Sequence, residues 1–199
     1  MKKILNVISS TRGAASYSIQ LAEALIDSLR VAYPGSTVKT VNLAEKHFPH
    51  LEESHIAGFF TPPEQQTSEH KEVLRHSDEA IQDVLEADVL VIGAPMYNFS
   101  ISSALKAWVD HIVRKGVTFN YSEKGVEGLV KGKKVYVVES SGGVYSDGPR
   151  KGMDFVEPYM RTVLGFIGLT DVTMLRVEGT AVPGVKEQAM ERALAEMRV

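Results

Sequence analysis

Cysteine is absent from the 199 residues. That removes disulfides, zinc–thiolate sites, iron–sulfur clusters and cysteine nucleophiles together, and it fits a reducing compartment. Long apolar runs are missing as well. The opening MKKILNVISS places two lysines before apolar residues, as a secretory leader does. Its apolar part spans only Ile4 to Ile8, however, and no stretch approaches membrane-spanning length. The expectation is the first strand of a soluble, cytoplasmic protein with no membrane partner. An excess of one charge is also lacking. The 22 basic and 25 acidic residues leave a net charge of −3, and no basic block marks a face for nucleic acid. Several motifs are missing too. There is no GxxxxGK[ST] and no GxGxxG after the first strand, which argues against a nucleotide triphosphatase and a Rossmann nicotinamide cradle. GxSxG is absent and no serine has a recognisable His/Asp pairing, which disfavours a hydrolase.

What is present is an alternation of periods. Lys3–Ile8 reads as a strand. Residues 16–33 follow with apolar groups at Ile19, Ala22, Ile26, Leu29 and Tyr33, a helical spacing that Pro34-Gly35 stops. Thr37–Asn42 alternates and is β-branched, hence a second strand. Residues 43–66 are irregular, with Pro49, Pro62 and Pro63, and a connection this long in a compact domain is usually functional or disordered. A helix over 68–86, a strand over 88–94, a helix over 101–115, a hairpin or excursion over 117–132, and a strand over 133–139 come next. A helix over 154–167, a strand over 171–177 and a helix over 185–197 complete the chain. Strands alternating with helices imply one domain, residues 1–199, built on a parallel sheet with helices on both faces. Five strands point to the flavodoxin-like order 2-1-3-4-5.

In such a sheet ligands lie beyond the carboxyl ends of the strands, where the strand order reverses. After the first strand, SSTRGAASYS supplies hydroxyls at Ser10, Ser16 and Ser18 beside Tyr17, just where a helix N-terminus offers N–H groups to a phosphate; Ser16 is the expected N-cap. After the third strand, IGAPMYNFS ends a buried strand in a proline and then presents Met96, Tyr97, Asn98 and Phe99. Such a turn offers amides for the polar edge of a flat ring and side chains for its faces. After the fourth strand, Ser140, Ser141, Gly142 and Gly143 allow close backbone approach. Phosphate chemistry at one end and a planar ring at the other match the shape of riboflavin 5′-phosphate (FMN).

APMYNFSIS (94–102), GVTFNYSEKGVEGLVKGKK (116–134) and GFIGLTDV (165–172) resemble the FMN-dependent NADH azoreductases, which are also NAD(P)H:quinone oxidoreductases on a flavodoxin-like fold. The resemblance runs over nearly the whole chain. It implies FMN contacts at Ser10, Ser16–Ser18, Met96–Phe99 and Ser140–Gly143, one FMN per subunit, and a homodimer in which each site is completed by the partner. It also implies ping-pong transfer from NADH or NADPH to a quinone or an azo compound, which is cleaved to amines. The cofactor then carries the hard chemistry, so no acid–base pair is needed. Amides of Gly142 and Gly143 would stabilise negative charge on the ring, with Tyr145 in a minor role. Some relatives carry histidine at position 145 and arginine at 141, which speaks against a proton-donor role for Tyr145.

Other features are set against this reading. His47, His50 and His55 with Glu52 and Glu53 lack a rigid frame and are expected to form a solvated loop rather than a metal site. Phe59 and Phe60 are expected at a dimer contact or in the wall of an acceptor pocket, with Phe119 and Tyr121 also lining it. Trp108 falls on a core stripe. The rival class is a flavodoxin-type electron carrier, which would be more strongly acidic in order to dock on basic partners.

Overall fold

The computed structural model describes residues 1–123 and 125–199; Lys124, within GVTFNYSEKGVEGLVKGKK, lies outside the described residues. Among the described residues seven strands form: β1 (Lys3–Ile8), β2 (Thr37–Asn42), β3 (Val89–Pro95), β4 (Phe119–Ser122), β5 (Gly125–Gly128), β6 (Lys134–Ser140) and β7 (Asp171–Val177). Six helices accompany them: α1 (Tyr17–Ala32), α2 (Glu53–Phe60), α3 (Ser68–Glu86), α4 (Ser103–Ile112), α5 (Glu157–Ile167) and α6 (Ala189–Glu196). The main sheet runs β2-β1-β3-β6-β7 with every pairing parallel. Counting only its own strands, this is the expected 2-1-3-4-5.

Strand β3 is buried at every position and β6 at all but its ends, as continuous Val/Ile-rich runs in a central parallel sheet require. Successive side chains point to opposite faces, and two clusters result. Leu5, Val7, Leu90, Ile92, Val135 and Val137 pack with Ile81 and Val84 of α3, Trp108 and Ile112 of α4, and Leu164 of α5. Ile4, Val89, Val91, Tyr136 and Val138 pack with Leu21, Leu25 and Leu29 of α1 and Ala189 and Ala193 of α6. Trp108 lies in the core as expected.

Several boundaries differ from expectation, three of them for a visible reason. The segment 43–66 is partly ordered by α2, whose first turn is closed when Glu52 N–H donates to His55 Nδ1 at 3.2 Å; a Glu–His pair is not the Ser/Thr–Glu signature by which helix starts are usually read. His55 is accordingly buried, its ring 5.3 Å from that of His111, which corrects the solvated-loop expectation for this residue. Helix α4 starts at Ser103 rather than 101, because the Ser102 hydroxyl accepts from Leu105 N–H at 3.1 Å. The last helix begins at 189, since residues 185–188 are held in turns, with Val185 and Lys186 N–H both donating to Val182 O.

The excursion over 117–132 contains the antiparallel hairpin β4–β5. It is fastened to the end of α5, where Val130 N–H donates to Ile167 O at 2.9 Å. Gly128 lies directly on Gly168: a Cβ at Gly128 would overlap the backbone of Ile167 and Gly168, and one at Gly168 would come within 2.7 Å of Val130 O. Gly168 also holds φ 103° as the left-handed residue ending α5.

Candidate active site

The loops after β1, β3 and β6 converge as the sheet order requires. Ser9 Oγ donates to Gly93 O at 2.7 Å, binding the first loop to β3. Met96 N–H donates to Ser140 O at 2.8 Å, binding the third-strand loop to β6. A cavity of about 390 Å³ lies between them, lined by Ser10, Arg12, Ser16, Tyr17, Met96, Tyr97, and Ser140 to Gly142, with Thr180 and Ala181 closing it. Position 16 is the N-cap of α1, as expected, but its hydroxyl does not cap. It bonds Ser18 Oγ at 3.0 Å instead. The first-turn amides of a 16-residue helix thus receive no side-chain cap, and the partial positive charge of that end faces the cavity with Arg12 beside it.

The third-strand loop is a tight reversal in which Tyr97 and Ser100 exchange backbone hydrogen bonds of 2.8 and 3.1 Å. Its two central residues, Asn98 and Phe99, hold φ of 49° and 71°. Such turns select Asn-Gly because both central residues are left-handed; a phenylalanine there is strained. Phe99 is 42% exposed. Its carbonyl accepts from Phe155 N–H at 3.0 Å, and its ring meets Tyr145 edge-on at 6.3 Å. Burial alone would push the Tyr97 phenol up, but hydrogen bonding with Thr11 and Ser10 and the nearby Arg12 bring it below its ordinary value. The Thr11 and Tyr97 hydroxyls are 3.5 Å apart.

Tyr97 is also the partition to a second cavity of about 670 Å³, lined by Thr11, Asn98, the start of α4, Lys106 and Tyr159. Burial, with Asp110 nearby, pushes the Tyr159 phenol up to about 12, so it remains a neutral donor.

Of the residues expected on the three loops, Ser10, Ser16, Tyr17, Met96, Tyr97 and Ser140 to Gly142 line the first cavity, and Asn98 lines the second. Ser18 is buried behind Ser16. Gly143 is folded inward, where a Cβ would come within 3.0 Å of the Tyr145 ring. Phe59, Phe60, Phe119 and Tyr121 line neither cavity. Phe59 packs on Arg114 (5.5 Å) and His111 (6.4 Å) beyond the far end of α4. Phe60 is 69% exposed, Phe119 is buried 4.6 Å from Phe166, and Tyr121 is exposed. Thr180 and Ala181 were missed. Thr180 Oγ1 donates to Ser141 O at 3.0 Å and Ala181 N–H to Gly142 O at 2.9 Å. Their position just beyond the fifth sheet strand was the available signal. Among the described residues no cluster of three His, Asp or Glu side chains could hold a metal, and no helix is long and apolar enough to cross a membrane.

A parallel sheet in this order, with its crevice at the point where the order reverses, places the molecule among the doubly wound α/β proteins. Within that class the chain belongs to the family described as Flavodoxin-like fold, which matches residues 2–199. It is 48% identical over 195 residues to an FMN-dependent NADH:quinone oxidoreductase of Herminiimonas arsenicoxydans, covering 98% of this chain and 94% of that protein. A protein of the same description from Burkholderia pseudomallei (strain 1710b) is 45% identical, covering 97% and 96%. Among solved structures, an azoreductase from Bacillus anthracis str. Sterne superposes with a TM-score of 0.91 at 31% identity, covering 98% of this chain and 96% of that one. An FMN-dependent NADH-azoreductase from Bacillus anthracis str. Ames Ancestor, solved in complex with FMN, gives 0.87 at 28% identity, covering 98% and 95%.

Proposed function

We propose that this protein is an FMN-dependent NADH:quinone oxidoreductase that also reduces azo compounds, cleaving them to amines. The observation that carries the reading is the crevice itself: an uncapped helix N-terminus with Arg12 at one end, and Met96 and Tyr97 opposite Ser140–Gly142 at the other. These residues fit the cofactor. Ser10, Ser16, Tyr17 and the α1 amides, with Ser18 fixing Ser16, would hold its phosphate. Met96, Tyr97, Asn98 and Phe99 would flank the ring, and the backbone of Gly142 and Gly143 would face its polar edge. When bound, FMN supplies hydride and electron transfer, from NADH (or NADPH) to the acceptor in separate ping-pong half-reactions.

The chain's own task is then placement and exclusion of water. Phe155, which is exposed and hydrogen-bonded to Phe99, adds to an apolar edge next to the crevice that supports a homodimer in which the partner completes the site. Phe60 and Tyr121, exposed and outside both cavities of one chain, are read as contributions to that assembly. The two hydrophobic clusters support helices covering both faces of the sheet.

The test uses purified protein. It should be yellow, release FMN on denaturation, and oxidise NADH rapidly once a quinone or azo dye is added, with NADPH compared alongside. Bound flavin that NADH reduces no faster than free flavin would instead favour the electron carrier.

A further inference from the structure

Arg176, near the end of β7, faces Glu139 across the β6–β7 ladder. Its guanidinium lies 2.8 Å from Glu139, 2.8 Å from Asp154 and 3.7 Å from Glu178, and it also meets Glu157. Glu139 is fully buried, and the Arg176 side chain is only 13% exposed. Four carboxyl groups around one cation are more than neutrality needs, even with Glu139 protonated. Buried ion clusters of this kind are a poor route to stability, because desolvation consumes the Coulombic gain. Each of two carboxylates, however, also holds backbone elsewhere.

Glu178 Oε1 accepts from Tyr145 and Ser146 N–H at 2.7 and 2.8 Å, directly after the Gly142-Gly143 loop. In the same stretch Gly179 N–H donates to Gly143 O at 2.9 Å. Asp154 Oδ1 accepts from Val156 and Glu157 N–H at the start of α5. Between these, Phe155 N–H donates to the carbonyl of strained Phe99. The two arms close on each other where the Phe99 and Tyr145 rings meet.

We propose that Arg176 is the positioning residue of the crevice, setting the 142–146 wall through Glu178 and the Phe99 turn through Asp154. This rests on the flavin placement proposed above. Arg176 lines neither cavity of the crevice, so its influence on a ligand there passes through those two carboxylates.

The experiment is titration of the apoprotein with FMN and, separately, with riboflavin, followed by flavin fluorescence, on Glu178→Ala, Glu178→Gln and Arg176→Lys. Loss of an acceptor shared by two amides should weaken binding on the order of tenfold or more. It should weaken FMN and riboflavin equally, because the ring wall moves and the phosphate end does not. Glu178→Gln keeps a carbonyl oxygen for both amides and should restore most of the affinity. Arg176→Lys keeps the charge but loses the two-pronged geometry, and should behave like Glu178→Ala.

A lowered melting temperature with unchanged affinity for both flavins in Glu178→Ala would overturn the proposal, as would Gln failing to rescue. Arg176→Lys that folds and binds both flavins as tightly as the wild type would overturn it too, and if Arg176→Lys does not fold, Arg176→Gln takes its place in that comparison. Gly142→Val separates the two readings. If it abolishes binding while Glu178→Ala does not, the role of Arg176 falls alone; if it too leaves binding intact, the placement of the site is wrong.

Discussion

Replacing Phe99 by glycine separates what the turn costs the fold from what it gives the crevice. At φ 71° a residue with a Cβ stores roughly 1–2 kcal/mol, which glycine releases. Against this, a fully buried Phe side chain is worth about 2–3 kcal/mol, and Phe99, 42% exposed, contributes a little over half of that. Glycine also gains freedom in the unfolded chain, worth about 0.4–1 kcal/mol. The contributions largely cancel, so the apoprotein should lose no more than about 2 kcal/mol. Urea denaturation of the apoprotein, with an unchanged slope, measures this. FMN titration of the same sample should show binding weakened by at least about tenfold if, as proposed, the Phe99 ring flanks the flavin. A loss above about 3 kcal/mol would show that the ring is core after all. Unchanged FMN affinity would show that the strain serves nothing in the crevice.

Gly128→Ala should destabilise by about 3 kcal/mol or more, since neither backbone at the Gly128–Gly168 contact can retreat cheaply. A thermal melt should register this as a fall of about 6–12 °C, and an unchanged melting temperature would mean that the hairpin can move away. Glu139 is pushed up to about 8, by burial first and by the carboxylates around it, against the pull of Arg176. Since the folded state holds this proton more tightly than the unfolded one, its stabilising effect is fully present below about pH 4.5 and is lost as pH rises toward 8. Glu139→Gln, which mimics the protonated acid, should remove this slope, of up to about 1.4 kcal/mol per pH unit, and so gain on the wild type from pH 5.5 to pH 8.5. Parallel pH profiles of denaturation midpoint would refute the titration of Glu139.

The sheet and its order were legible because burial imposes continuous apolar runs on β3 and β6 and a helical stripe on the segments between them. The convergence of the three loops on one crevice was legible from topology, since strand ends are fixed once the order is. Helix α2 was not. Its eight residues are flanked by prolines, and it is held by tertiary packing, with Gly58 lying close against Leu74 of α3. The pairing of the Ser16 and Ser18 hydroxyls was also hidden, because a serine before a helix reads as a cap whatever its hydroxyl does. The Arg176 cluster was invisible for a related reason: its members come from β6, from β7 and the residue after it, and from the approach to α5 and its first residue, and no local pattern joins them.

The Gly128–Gly168 contact has a consequence for how this gene can drift. At most buried positions a change can be absorbed by a compensating reduction in a neighbour's side chain. Here both partners already have none, and what lies opposite each is main chain. Neither site therefore has a tolerated neighbour in sequence space through which a lineage could pass. Only an altered hairpin length or path, changing many residues together, would release them.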